Sequence, residues 1–504
     1  MSTLQRLARF LVSLDYAALP EGVKQAARYQ TLDMLAAATH HTPAADAVAR
    51  AYGSLVPRGR SHVVATGARL DPASAAAINA AYSMAHDYDD IVWMGHTCHS
   101  AVFAALAVAE HEGAPSDDFL TAVVAANEAA GRLGASVELG PLNGQMMTHI
   151  HAFGAAAAAA KLLRLDEERT LNALSIAIAQ PNWALQPAFL ASSAKLLSAS
   201  VPLVTGIHAA YCAREGLTGH ARLLEDERGF WKHFSFAPLP VFFDDLGEFW
   251  VMTTLAMKDT PACHYFQTAC TALGETLRAA PAPIEGITVA THKLAIEVDR
   301  FGAAYRQDAS ASVNLNFDLR ATLAIFAIAG ELTPAQLDDA WLAAHASELT
   351  RLRERITVEH DPRLTLKVLR SAEAVPTGKK ALASLTLGQW RRLAKQYRDI
   401  YSGRLVSLAE AGAWVRALLA PREPQPAGLA FPARVTVRFA NGATRTAEVD
   451  VPLGTFGQPS AAGVLRRKLA QAELPIWDAG MRLGAGDLGE LISALPSSRV
   501  SPAA

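Results

Sequence analysis

The run HAFGAAAAAAKLL, residues 151–163, decides the fold. Alanine is the strongest helix former and adds no bulk beyond a methyl group. A helix with so few large side chains lets its neighbours approach closely, which predicts a central packing element rather than a surface one. The flanking sequence carries the same helical period. Upstream, Ser116-Asp117-Asp118 opens a segment with Ser116 as the expected N-cap, and Phe119, Val123, Ala126, Ala130 and Leu133 then fall on one face. Downstream, Asp166-Glu167-Glu168 places negative charge where a helix dipole favours it, ahead of Leu171, Leu174 and Ile178. The N-terminal stretch MSTLQRLARFLVSLDYAALP reads as a short amphipathic helix, broken by Gln5, Arg6, Arg9 and Asp15, and so does not read as a secretory signal.

Residues 1–270 are therefore expected to form a helical domain. Composition shifts near residue 285: the run Ile287 to Val298 is β-rich, Arg355 to Glu359 is a short strand candidate, and 433–451 forms two alternating runs around Asn441-Gly442, expected as a type I′ hairpin. Helical segments around 309–330 and 333–349 intervene, which predicts a smaller α+β domain over 271–458. Within it, 371–428, a charged helical stretch ending in the Pro-rich PREPQPAG, reads as an insertion. From 459 to 504 the chain returns to helices expected to pack back on the first domain. The fold class is mainly α, with a large all-helical domain and a smaller α+β domain.

Composition bounds the partners. With 504 residues, 51% hydrophobic and 19% charged, the chain can bury large cores and is not disordered. A net charge of −2 leaves no basic footprint for nucleic acid or an anionic membrane, so an anionic substrate must be captured by local cations. Four cysteines without CxxC spacing argue against a disulfide framework. No transmembrane span is expected, and the reading is a soluble, cytoplasmic protein.

The richest chemical cluster is His86-Asp87-Tyr88-Asp89-Asp90, followed by Gly95-His96-Thr97-Cys98-His99-Ser100. Histidine titrates near neutrality and carboxylates orient it, so this set can move protons. The bland alternative is that Asp89 and Asp90 cap the next helix. A zinc site from His96, Cys98, His99 and an Asp is a competing reading, but H-x-C-H matches no common zinc spacing, and no metal is expected. His149 and His151 precede the alanine helix, two apart and therefore diverging on a helix. Lys195 interrupts a low-charge stretch and is either snorkelling or binding an anion, and Lys258 stands at the junction of the two expected domains, where ligands often bind. No G-x-G-x-x-G, Walker, G-x-S-x-G or HExxH motif occurs, which argues against nucleotide, nicotinamide, serine-hydrolase and zincin chemistry.

Seven stretches in order resemble the MmgE/PrpD family, which includes 2-methylcitrate dehydratase, cis-aconitate decarboxylase and iminodisuccinate epimerase. Among them are AAINAAYSMAHDYDDIVW (76–93), FGAAAAAAKLLRLD (153–166), KDTPACHYFQTA (258–269) and VRFANGATR (437–445). The resemblance implies a helical main domain with a smaller α+β lid, a homodimer, no metal or organic cofactor, and a pocket between the domains. It implies a lyase, dehydratase or decarboxylase, of a small di- or tricarboxylate, with epimerisation or a catalytically silent dimeric member as alternatives. Carried onto this chain, the site comprises Asp87, a histidine that is either His96 or His99, Lys195 and Lys258, with His149 and His151 as candidates for a second histidine. In that scheme the lysines hold substrate carboxylates and Asp87 orients the histidine. The chain departs from the family pattern at Ile91, Gln145, Leu197 to Ser200 and Gln267.

Overall fold

The computed structural model describes residues 1–56, 58–93, 95–141, 147–280, 282–305, 314–373, 375–400 and 428–496, with isolated positions between 412 and 419. It is mainly helical with small sheets. The alanine-rich segment forms the His149–Leu162 helix, and every residue of it except Lys161 is buried. Around it pack the Ser116–Ser136, Cys98–Glu112, Glu167–Ala177 and Leu197–Arg214 helices. Small residues permit this closeness: a Cβ placed on Gly206 would lie 2.2 Å from the Ala152 carbonyl oxygen. The stretch Ser193–Arg214 is long and apolar enough to cross a membrane by length and composition, but 56% of its apolar window is buried inside the protein, as for a core helix.

Local signals hold with one shift. Asp166 caps its helix by accepting from the Arg169 amide at 2.8 Å. Ser116 is not the N-cap: Pro115, already extended at φ −72° and ψ 165°, takes that place. Ser116 thus becomes the first helical residue, and its hydroxyl donates instead to the Gly486 carbonyl at 2.5 Å. The bond is long-range, so no local pattern could have revealed it.

A second hydrophobic cluster, including Phe266, Leu273, Val289, Val435 and Phe439, lies on a four-stranded sheet. Its order is Ile356–His360, Ile284–Thr291, Ala433–Phe439, Thr444–Val449; the first pair is parallel and the others antiparallel. The expected strand to Val298 stops at Thr291, because the His292 ring accepts from the Ala295 amide and caps the Lys293–Ala304 helix. The hairpin is present without a type I′ turn. The Gly442 amide donates to the Phe439 carbonyl, Gly442 alone takes positive φ (82°), and the loop closes as a turn followed by a left-handed glycine.

The stretch read as an insertion contains the Pro376–Ala383 and Leu387–Ile400 helices. Val375, Ala381, Leu385 and Leu393 join the main helical cluster, and Thr377 donates to Asp245 at 3.0 Å. The C-terminal Ala461–Gln471 helix also returns to that cluster through Val464, Leu465 and Leu469. It carries Lys468 inside: the ammonium lies 2.5 Å from Asp33 Oδ1 and donates to the Tyr88 carbonyl at 2.7 Å. Burial pushes the Asp33 carboxyl up to about 6 despite this cation. Removing one partner of a buried pair strands the other's charge, so Lys468→Ala should cost about 3–5 kcal/mol in a denaturant titration. The double change Lys468→Met with Asp33→Leu should recover most of that loss; equal losses in both would show that the pair is not what matters.

Candidate functional site

A three-stranded sheet of two-residue strands frames the site. Asp90–Ile91 pairs antiparallel with Ala256–Met257, which pairs with Gly454–Thr455. The register sets Asp90 opposite Met257, so the next residues outward are Asp89 and Lys258. Lys258 Nζ lies 2.6 Å from Asp89 Oδ1 and 3.0 Å from Asp87 Oδ2, and donates to the Asp87 carbonyl at 2.8 Å. The carbonyl and Asp89 contacts are hydrogen bonds, and the Asp87 carboxylate completes the set as an ion pair. Asp87 reaches its place through a left-handed backbone (φ 53°) just past the Pro72–Ala85 helix, a conformation that aspartate and asparagine tolerate better than other side chains.

The histidines hang from Asp89. His96 Nδ1 lies 2.6 Å from Asp89 Oδ2, and His99 Nε2 lies 3.1 Å from the same oxygen, in ion-pair range but without the alignment of a good hydrogen bond. The orienting carboxylate assigned to Asp87 from sequence is thus Asp89, since Asp87 is turned onto the lysines. Nor do Asp89 and Asp90 cap the following helix: its N-cap is Thr97, and Asp90 accepts from Gln30 at 2.9 Å. Lys195 Nζ stands 3.7 Å from Asp87 Oδ1 and 4.7 Å from the centre of the Phe317 ring.

Burial alone would raise both carboxyl pKa values. Lys258 with Lys195 nevertheless holds Asp87 below the usual range, and Lys258 with His96 holds Asp89 well below it. Burial lowers the Lys195 ammonium pKa, with Asp87 opposing. Asp89, Cys98 and His99 offer donor atoms within 4.8 Å of one another, the grouping a metal would need. Asp89 is already paired with Lys258, however, and the Cys98 thiol donates to the Asp90 carbonyl at 3.3 Å. The set therefore reads as a hydrogen-bonded ion network.

Asp87 and His96 open onto a cleft also lined by His264, Tyr265, Phe301 and Phe431. Lys195 lines an adjoining cavity that shares Phe189 with this cleft. Asp87, His96, Lys195 and Lys258 are thereby brought together. The remaining candidates do not line the cleft: His99, which reaches Asp89 from within the core, is anchored to Ser83 at 2.8 Å, His151 packs edge-on to it at 5.5 Å, and His149 lies between Phe230 and Phe234. Sequence reasoning missed His264, which directly follows Cys263 in a stretch read only for its lysine. It is buried, and both ring nitrogens lack a hydrogen-bond partner among the described residues. Of the departures, Ile91 lines the cleft, while Gln267 accepts from the Asp259 and Thr260 amides and clamps the turn after Lys258. Gln145 lies outside the described residues.

Burial lowers the pKa of His149 and His292 to about 3. The unfolded chain, titrating near 6.5, takes up these protons first, so stability should fall as pH drops below about 6.5 and go on falling towards the folded values. By pH 5 the loss should reach about 2 kcal/mol per histidine, read as a falling urea midpoint. His292→Asn, which can cap without titrating, should flatten the curve; an unchanged profile in this variant would count against the assignment.

The sequence matches the MmgE/PrpD N-terminal domain over residues 5–240 and the MmgE/PrpD C-terminal domain over 261–381. It is similar to the cis-aconitate decarboxylase-like protein oryM of Aspergillus oryzae, 28% identical over 238 residues, which cover 44% of this chain and 49% of that protein. The likeness thus spans about half the length of that relative. With both domains matched in order, and a His, Asp and Lys network where the family motifs fall, the chain belongs to the MmgE/PrpD family.

Proposed function

We propose that the protein is a lyase, a dehydratase or decarboxylase, that acts on a small di- or tricarboxylate by acid–base chemistry without a metal or organic cofactor, the sheet-bearing part of the chain serving as a lid. The observation that carries this reading is the continuous chain from Lys258 through Asp89 to His96, which ends at the cleft. Family membership and the name of the fungal relative support the reaction class.

Lys258 has its donors committed to Asp87 and Asp89, so its role is to hold that loop charged and in place. Lys195 is the cation assigned to the substrate carboxylate, where it stabilises the enolate-like charge that develops on the adjacent carbon. His96 is tethered through Nδ1, so proton exchange with substrate runs through Nε2. In dehydration one base removes the proton α to the carboxylate, its electron pair forms the C=C bond, and an acid protonates the hydroxyl that leaves as water. Decarboxylation instead breaks the bond to a carboxylate, and the carbon left behind takes the proton. His264, the second histidine lining the cleft, is the second acid or base, and two such histidines also suit the alternative of epimerisation.

Lys195→Ala should reduce turnover by about 10²–10³ while the protein stays folded, because Lys258 still faces Asp87. His96→Asn should cost about 10²–10⁴, and His99→Asn far less. Lys258→Ala should lower both activity and stability, because it strands two buried carboxylates. An NMR screen of turnover and solvent proton exchange over citrate-like, aconitate-like and aminodicarboxylate compounds reads all of these. Normal rates in Lys195→Ala would remove the anion assignment, and no exchange with any compound would favour the catalytically silent alternative.

A further inference from the structure

The lining of the cleft does not match a substrate that is charged throughout. Beside Asp87, Glu138, His96 and His264 its lining is mostly apolar, with Phe301, Phe431, Leu294 and Val368 among the residues. This wall is assembled from three separated segments: the Lys293–Ala304 helix, the Pro362–Glu373 helix and the strand-entry segment 429–431. The last two are tied together by the Ala430 amide, which donates to Ser371 Oγ at 3.0 Å. The charge balance points the same way. Among the described residues, Lys195 and Lys258 face Asp87 and Asp89, two cations against two carboxylates. A fully ionised tricarboxylate would bring three more negative charges into this enclosure, and a buried charge without a counter-charge is expensive.

We infer that the substrate carries an apolar substituent, an alkyl chain or a ring, that packs against the Phe301, Phe431 and Val368 wall while one carboxylate end meets Lys195. The inference rests on the proposed carboxylate chemistry for the polar end, and it assigns the apolar wall as the specificity determinant. Leu294, 38% exposed, stands at the rim, so the substituent extends from the reacting end towards the cleft mouth.

Titration calorimetry with non-reacting 2-alkylsuccinates, from methyl to hexyl, tests it. In the wild-type protein Kd should fall about fourfold for each methylene buried. Leu294→Asp and Val368→Asp, both at positions that are not fully buried, should abolish this dependence, with circular dichroism confirming the fold. Lys195→Ala should weaken every member equally and keep the slope. A Kd that is flat or rises with chain length, or a slope that survives both wall variants, overturns the inference. Failure of the lyase reading looks different: the slope persists, yet no hydroxylated or unsaturated analogue of these compounds turns over.

Discussion

A buried ammonium shared by two carboxylates is the interaction on which the site depends. Lys258 is fully enclosed, and its charge can persist there only because Asp87, Asp89 and a backbone carbonyl surround it. Each neighbour is arranged by that requirement. Asp87 accepts a left-handed backbone to reach the lysine, and Asp89, held by it, presents its second oxygen to His96 and His99. The mini-sheet supplies the register that sets Asp89 beside Lys258.

The same loop is fixed from behind. Tyr88, between the two aspartates, faces the other way, donating to Gln471 at 2.9 Å while its carbonyl accepts from Lys468. A C-terminal helix thus braces a loop almost four hundred residues earlier in the chain, and residues far from the cleft hold its acid–base groups still. The helical core makes this bracing stiff. Helices lined with alanine and glycine pack backbone close to backbone, leaving little room for the loop to shift.

Much of this was legible locally. The alanine run predicted the central helix, the acidic start at Asp166 to Glu168 its neighbour, and the alternating runs near residue 441 the hairpin. The spacing of Asp87, Asp89, His96 and His99 marked the chemistry, and Lys195 and Lys258 stood out as charges in apolar surroundings. The errors share a cause. Ser116, the strand end at Thr291 and the partner of His96 were each settled by a contact, or by a cap three residues on, that periodicity does not encode. His264 went unseen because a histidine beside a cysteine in an apolar run has no local signature of a cleft.

The sequence by itself determined the helical class, the family, and which short segments hold titratable groups, because helix period, turn chemistry and motif spacing are local properties. Only the tertiary structure decided which histidine meets the cleft, that Asp89 rather than Asp87 tethers it, and that Lys258 is bound up in holding the loop. It also decided the apolar character of the cleft lining, whose residues come from segments far apart in the chain. Those outcomes depend on a fixed number of donors and lone pairs being shared among groups that only folding brings together.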